Sequence, residues 1–405
     1  MFSTQFIKSN FKYLFFGFLM TFCSSFGQTF FLGIFNPFIR EDLNLSHSEF
    51  GSIYSIATLI SSFTIIWLGK KIDDFKLRNF AIFVCLSLFF AAAFMSQLLG
   101  YIHLVLAIFF LRLFGQGLMS HTSSTSMAKI FDKNRGKALA ISWLGLSFGE
   151  GVLPALTIYL LNVIFWKKIW LVISGFLILI VLPLIIYLLK NYKDNTINED
   201  EQKINLNIKH WTRKEVLKDI KFYFLLPAVL CPAFLITGIF INQIYLFENA
   251  DWSLNFLALG FTAYAITTVL SLQISGYLID KFSAVKILPF YLIPMILGFI
   301  ITILFKSMLS PILFFIFIAI TNGTANVLIT STWSEIYGTK NLGAIRSITI
   351  SLMVFSTALS PILFGFLIDF GLSTQKILLF MLIYTLFSNF LLICKIRSYK
   401  PVFIT

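Results

Sequence analysis

Two ionisable side chains stand where the surrounding residues call for hydrocarbon. Arg112 and Glu150 each lie inside a long apolar stretch, and a short basic loop joins the stretches through Lys129, Asp132, Lys133, Arg135, Gly136 and Lys137. A charge at such depth costs at least ~3 kcal/mol, so it is kept where it is paired or lines a cavity. A glutamate there exchanges a proton; an arginine offers a planar fork that grips a carboxylate. Counting inward from the loop at about 1.5 Å per residue puts Arg112 about 25 Å deep and Glu150 about 20 Å deep. Gln116, one turn from Arg112, falls at the level of Glu150. We therefore expect an Arg112–Glu150 contact between consecutive antiparallel helices. In one reading an anion competing for Arg112 promotes protonation of Glu150; in another Arg112 binds the anion itself; in a third the two form a static structural pair.

Other chemistry is harder to assemble. His121 lies nine residues beyond Arg112, about 180° around a helix, and so faces packing or an end vestibule. His47 and His103 fall at the edges of apolar stretches and His210 in a polar one, which gives no metal site. Cys23, Cys85, Cys231 and Cys394 occur singly in apolar surroundings, as structural cysteines do. No nucleophile–base pair is evident, so we expect no enzyme, no catalytic residues, no metal and no cofactor.

The elements that hold these residues are membrane helices. Of 405 residues 58% are hydrophobic and 12% charged, against about a quarter charged in a soluble domain. Twelve apolar runs are long enough to cross a hydrocarbon core of about 30 Å, near 11–38, 47–69, 80–99, 102–128, 138–161, 169–189, 222–246, 255–279, 287–305, 311–335, 347–368 and 377–394. They do not alternate as the strands of a β-barrel do. The first run follows Lys8 and Lys12 without a short apolar core and small-residue cleavage site, so we read it as a retained span. Ser46–Glu49 has the form of a capping box opening the second span, and Thr212–Glu215 that of a cap on a short interfacial helix before the seventh.

The excess of basic residues, +13 in net charge, sorts by position. With both termini cytoplasmic, twenty-five Lys and Arg fall in inside segments and five outside, Arg112 being the remaining one. That is the positive-inside pattern, so the charge reports topology and no nucleic acid is implied. The chain divides into a first bundle, 1–189, a polar cytoplasmic linker, 190–221, and a second bundle, 222–405. The halves repeat at an offset of 207 residues: Gly69 and Asp73 fall on Gly276 and Asp280, Gly136 on Gly343, and Pro154 on Pro361. Two like halves of six spans in parallel orientation are a recurring membrane-protein design.

With these residues in view, the chain resembles the major facilitator superfamily along nearly its whole length. Gly69, Asp73 and Arg78 match that family's loop signature after the second span, and Gly276, Asp280 and Lys281 match its copy, where Ser283 replaces a glycine. Arg112, Gly115 and Gly117 are similar to the fourth-span motif, and Gly145–Gly151 with Pro154 to a variant of the fifth-span glycine motif, with Glu150 where the antiporter branch has proline. Segments Glu335–Gly338 and Leu342–Arg346 are weakly similar to bacterial monocarboxylate and oxalate–formate type porters.

The resemblance implies an all-α membrane protein of twelve transmembrane helices in two six-helix pseudo-repeats, working by alternating access in the bacterial inner (cytoplasmic) membrane. Spans one, four, seven and ten would line a central path. That nominates Gln28, Arg112, Gln116, Asn242, Gln243, Asn322 and Asn326 as substrate-binding residues, and Glu150 with Arg112 for proton coupling. Asn322 and Asn326, four residues apart, share a helix face, which Thr330 continues. Gly69, Asp73, Arg78, Gly276 and Asp280 are the expected gating residues, their carboxylates meeting helix N-termini. Interhelical hydrogen bonding is the bland reading of the amides. The expected function is proton-coupled symport of a small organic anion such as a monocarboxylate, by a monomer. The alternatives are a proton-driven exporter of amphipathic compounds and a receptor-like protein that has lost transport.

Overall fold

The computed structural model describes residues 4–131, 135–190, 192, 211–305, 307, 309–338 and 341–396. Asp132, Lys133 and most of the linker lie outside the described residues, as does the side chain of Asp73. All regular structure among the described residues is helical. Among the described residues twelve helices are long and apolar enough to cross a membrane: Phe6–Leu43, His47–Leu68, Leu77–Ser96, Tyr101–Ile130, Gly136–Leu161, Trp166–Leu188, Ile220–Ile241, Leu254–Phe282, Ala284–Leu304, Ser310–Tyr337, Ile348–Asp369 and Thr374–Lys395. We number these spans one to twelve. The capping boxes form where the sequence places them. Ser46 Oγ accepts from Glu49 N at 3.1 Å and Ser46 N donates to Glu49 at 2.8 Å, and Thr212 and Glu215 open the helix Arg213–Lys218 in the same manner.

The chain groups into two units, 1–199 with 240–244, and 200–239 with 245–405. In the first, small residues let helices close to backbone contact, which is how membrane helices gain packing when burial from water offers nothing. Gly145 and Gly149 of span five abut Phe18, Thr21 and Ser25 of span one, and a Cβ at either would collide with them. Ser123 Oγ of span four donates to Gly17 O at 2.8 Å and pairs with Ser142 Oγ of span five.

Span one is not one helix. An α-helix to Ser24 gives way to a 3-10 turn, Ser25–Gly27, then Gln28 is extended (φ −80°, ψ 153°), and helix resumes at Thr29. Opposite this break, span four winds as a π-helix over Leu111–Met119. The local reasons are legible. Ser24 Oγ bonds back to Thr21 O at 2.6 Å, a contact that bends helices. A glycine inside a helix costs about 1 kcal/mol relative to alanine, yet Gly27 is required here. A Cβ on it would strike Leu111 O and Gln116 N of span four. Gly115 reciprocates, meeting Gly27 N and Cα.

In the second unit span eight packs on span ten. Gly323 lies against Thr268 O, and Ser275 Oγ donates to Thr324 Oγ1 at 2.9 Å. The two copies of the duplicated loop fold differently. Span two ends at Leu68, and Lys71–Asp74 forms a separate turn of helix. Span eight instead runs unbroken through Gly276 to Phe282 and reverses at Ser283, whose φ is 79°. With no atom near its missing side chain, Gly276 has no need to break the helix.

Candidate functional site

The break in span one and the π-turn in span four converge on Arg112. Nη1 donates to Gly27 O and to Thr29 Oγ1, each at 3.2 Å. Both acceptors follow from the break: Gly27 O has left the helix ladder, and Thr29 opens the second half-helix. The guanidinium carbon lies 5.2 Å from the Tyr54 ring centroid, and Tyr54 Oη pairs with Thr29 Oγ1 at 2.8 Å. A cation over such a face gains about 1 kcal/mol or more when desolvated. Gln28 directly follows Gly27, and Gln116 follows Arg112 by about a turn; both are half-buried, and neither amide has a partner among the described residues.

Arg112 is 5% exposed, and its Nε is buried without a hydrogen bond. No carboxylate pairs with it among the described residues. The expected contact with Glu150 therefore does not form. Glu150 is half-buried on span five, with neither ion pair nor hydrogen bond among the described residues. The reason is the path of span one. It meets Gly149 of span five through the Ser25 side chain and Gly115 of span four through the Gly27 backbone, so at this level it lies against both helices. Spans four and five meet each other at Ser123 and Ser142 instead. Adjacency in sequence and similar depth do not make two membrane helices touch at every level.

The remaining expected residues scatter. Asn242 and Gln243 are buried, 2% and 0% exposed, in the segment that groups with the first unit. Gln243 Nε2 donates to Phe30 O at 2.8 Å. Both side chains are packed inside protein. Span seven ends at Ile241, Asn242 forms the turn, and Gln243 opens the short helix Gln243–Glu248. Asn322 Nδ2 donates to Tyr264 Oη at 2.6 Å, an interhelical bond between spans ten and eight, while Asn326 is exposed and unpartnered among the described residues.

Among the gating candidates, Gly69 caps span two, and its carbonyl meets His121 Nε2 at 3.0 Å. The Nε of Arg78 is buried without a hydrogen-bond partner among the described residues. Asp280 is exposed and unpartnered among the described residues and meets no helix N-terminus. The carboxylate that does so is Glu335, which the sequence reading passed over. Its oxygens accept from Ala284 N at 2.7 Å and Val285 N at 3.0 Å, capping the start of span nine. An acidic residue in the last turns of a long apolar helix was the available signal. Tyr54 and Thr29 were missed as well, because nothing in their spacing marks them as neighbours of Arg112.

The Major Facilitator Superfamily model matches residues 17–247. By sequence, no curated protein matches the chain. Solved structures share its fold, two transporters among them. One is an inward-facing, unoccupied bacterial homolog of the human lysosomal transporter Spinster, at 12% identity and TM-score 0.70, covering 96% of this chain and 97% of that one. The other is the nucleoside transporter NupG, at 12% identity and TM-score 0.73, covering 96% and 99%. A chain of twelve membrane-spanning helices whose family model covers more than half its length belongs to the Major Facilitator Superfamily, and is a multi-pass transporter rather than an enzyme.

Proposed function

We propose that the protein carries a small organic anion, with a monocarboxylate as the leading class, and that Arg112 is its anchor. The observation behind this reading is a guanidinium buried at membrane depth with no acidic partner among the described residues. Its two hydrogen bonds and the Tyr54 face satisfy part of its donor set and none of its charge. A buried charge of this kind is costly unless an opposite charge arrives, and a substrate carboxylate supplies it. Gln28 and Gln116 are the neighbouring amides available to orient the rest of the molecule. Glu150, separate from Arg112, is the candidate proton carrier. In this reading it couples by its own protonation and not through an ion pair with Arg112. The protein works as a monomer in a bacterial inner membrane with both termini cytoplasmic, Asp73 and Arg78 serving the inner gate.

The test is a ligand-stabilisation screen across carboxylates, nucleosides, sugars and cationic amphiphiles, repeated on Arg112→Lys. Carboxylates are expected to raise the Tm of the parent. Lysine keeps the charge but not the fork, so affinity should fall about tenfold or more. Stabilisation by cationic amphiphiles instead, or carboxylate affinity unchanged in Arg112→Lys, removes the anion assignment.

A further inference from the structure

Away from Arg112, the first unit holds a cleft of about 200 Å³ between spans one, five and six. Its floor is aromatic: Phe22, Phe26 and Phe176 meet one another with ring centroids 6.3–6.4 Å apart. Leu156 of span five and Val172 of span six stand at its mouth, 49% and 56% exposed. Thr157 alone among the lining side chains carries a polar atom.

We propose that this cleft seats one acyl chain of an anionic phospholipid, with the phosphate at Lys168. Four observations point to that occupant. The walls belong to membrane-spanning helices and are almost wholly apolar, and an apolar cavity of this kind does not hold water. Left empty it forfeits the dispersion contacts of its lining. The lining runs from Leu153 to Leu160 on span five and from Phe22 to Phe31 on span one. At about 1.5 Å per residue that is about 10–14 Å, close to the roughly 15 Å of a single leaflet. At the end of span six that starts the lining, the two lysines differ. Lys167 is engaged, by Asp42 at 2.9 Å and Leu98 O at 3.2 Å. Lys168 is exposed, has no partner among the described residues, and lies one turn from Val172 on the same helix face.

The position gives the lipid a consequence. Phe26 belongs to the 3-10 break, and its neighbour Gly27 presents the carbonyl that Arg112 holds. A tail in the cleft packs on Phe26 and so buttresses the break. The proposal does not depend on which solute is carried.

The full chain, purified in mild detergent, should retain a single phospholipid by native mass spectrometry, with phosphatidylglycerol outcompeting phosphatidylcholine. Val172→Trp and Leu156→Trp fill the mouth and should cut retention at least fivefold. Lys168→Gln, a surface change that leaves packing alone, should keep retention of phosphatidylcholine and lower the preference for phosphatidylglycerol about fivefold, the worth of one basic residue at an anionic headgroup. Equal retention in the filled variants overturns the proposal, as does a parent with no preference between the two lipids. If the tryptophan variants do not fold, the Lys168→Gln preference decides alone: a shift supports the site and an unchanged preference refutes it.

Discussion

Whether Arg112 and Glu150 act as a pair is decided by a double-mutant cycle on Arg112→Met, Glu150→Gln and the double variant. For Arg112→Met the opposing contributions nearly cancel. Removing a buried cation without a counterion recovers about 3 kcal/mol. Against that stand two hydrogen bonds of 3.2 Å, about 1 kcal/mol each, and the Tyr54 contact, about 1 kcal/mol. The net lies within about 1 kcal/mol of zero. For a unit of about 200 residues that moves Tm by less than about 4 °C. Breaking a true buried ion pair costs about 3–5 kcal/mol, or roughly 6–20 °C. Since no contact joins the two side chains, their effects should add to within about 0.5 kcal/mol. The measurement is thermal unfolding of each variant in detergent, followed by intrinsic tryptophan fluorescence, without substrate. A loss above ~3 kcal/mol in Arg112→Met, or a coupling energy above ~1 kcal/mol, refutes the unpaired-cation argument. A variant that folds as well as the parent but no longer binds anion shows the stability–function trade-off expected of a binding residue.

Three further outcomes follow from particular contacts. Gly27→Ala drives a Cβ into the backbone of span four, Leu111 O and Gln116 N, which has no flexible end to yield; it should cost about 1–3 kcal/mol in thermal stability and weaken anion binding by displacing the Gly27 carbonyl. Glu335→Ala removes two charge-assisted hydrogen bonds from the start of span nine, for a loss of about 1–3 kcal/mol, seen as faster amide hydrogen exchange at Ala284 and Val285. In proteoliposomes Glu150→Gln should abolish uptake driven by a proton gradient while sparing substrate exchange, and equal loss of both argues against a proton role.

Much of the architecture follows from composition alone. A chain this poor in charge satisfies its backbone in lipid with helices or a closed barrel, and the absence of alternation leaves helices. The offset of 207 residues exposes two halves, and local chemistry sets both caps, Ser46–Glu49 and Thr212–Glu215, because a capping box needs four residues and no tertiary help. The depth of Arg112 and Glu150 is equally a matter of counting. What they touch is not. A polar side chain in a membrane helix takes whichever partner the neighbouring backbone brings within 3 Å, and that depends on how closely helices approach. Gly27 and Gly115 bring span one against span four, the break frees a carbonyl, and Arg112 takes it in preference to Glu150. The same rule replaces Asp280 with Glu335 at a helix start and packs Gln243 on Phe30 O. The sequence by itself determined helices and duplication, since those rest on period and hydropathy. Partners were decided by the tertiary structure, since a glycine reveals where two backbones can meet only once both are in place.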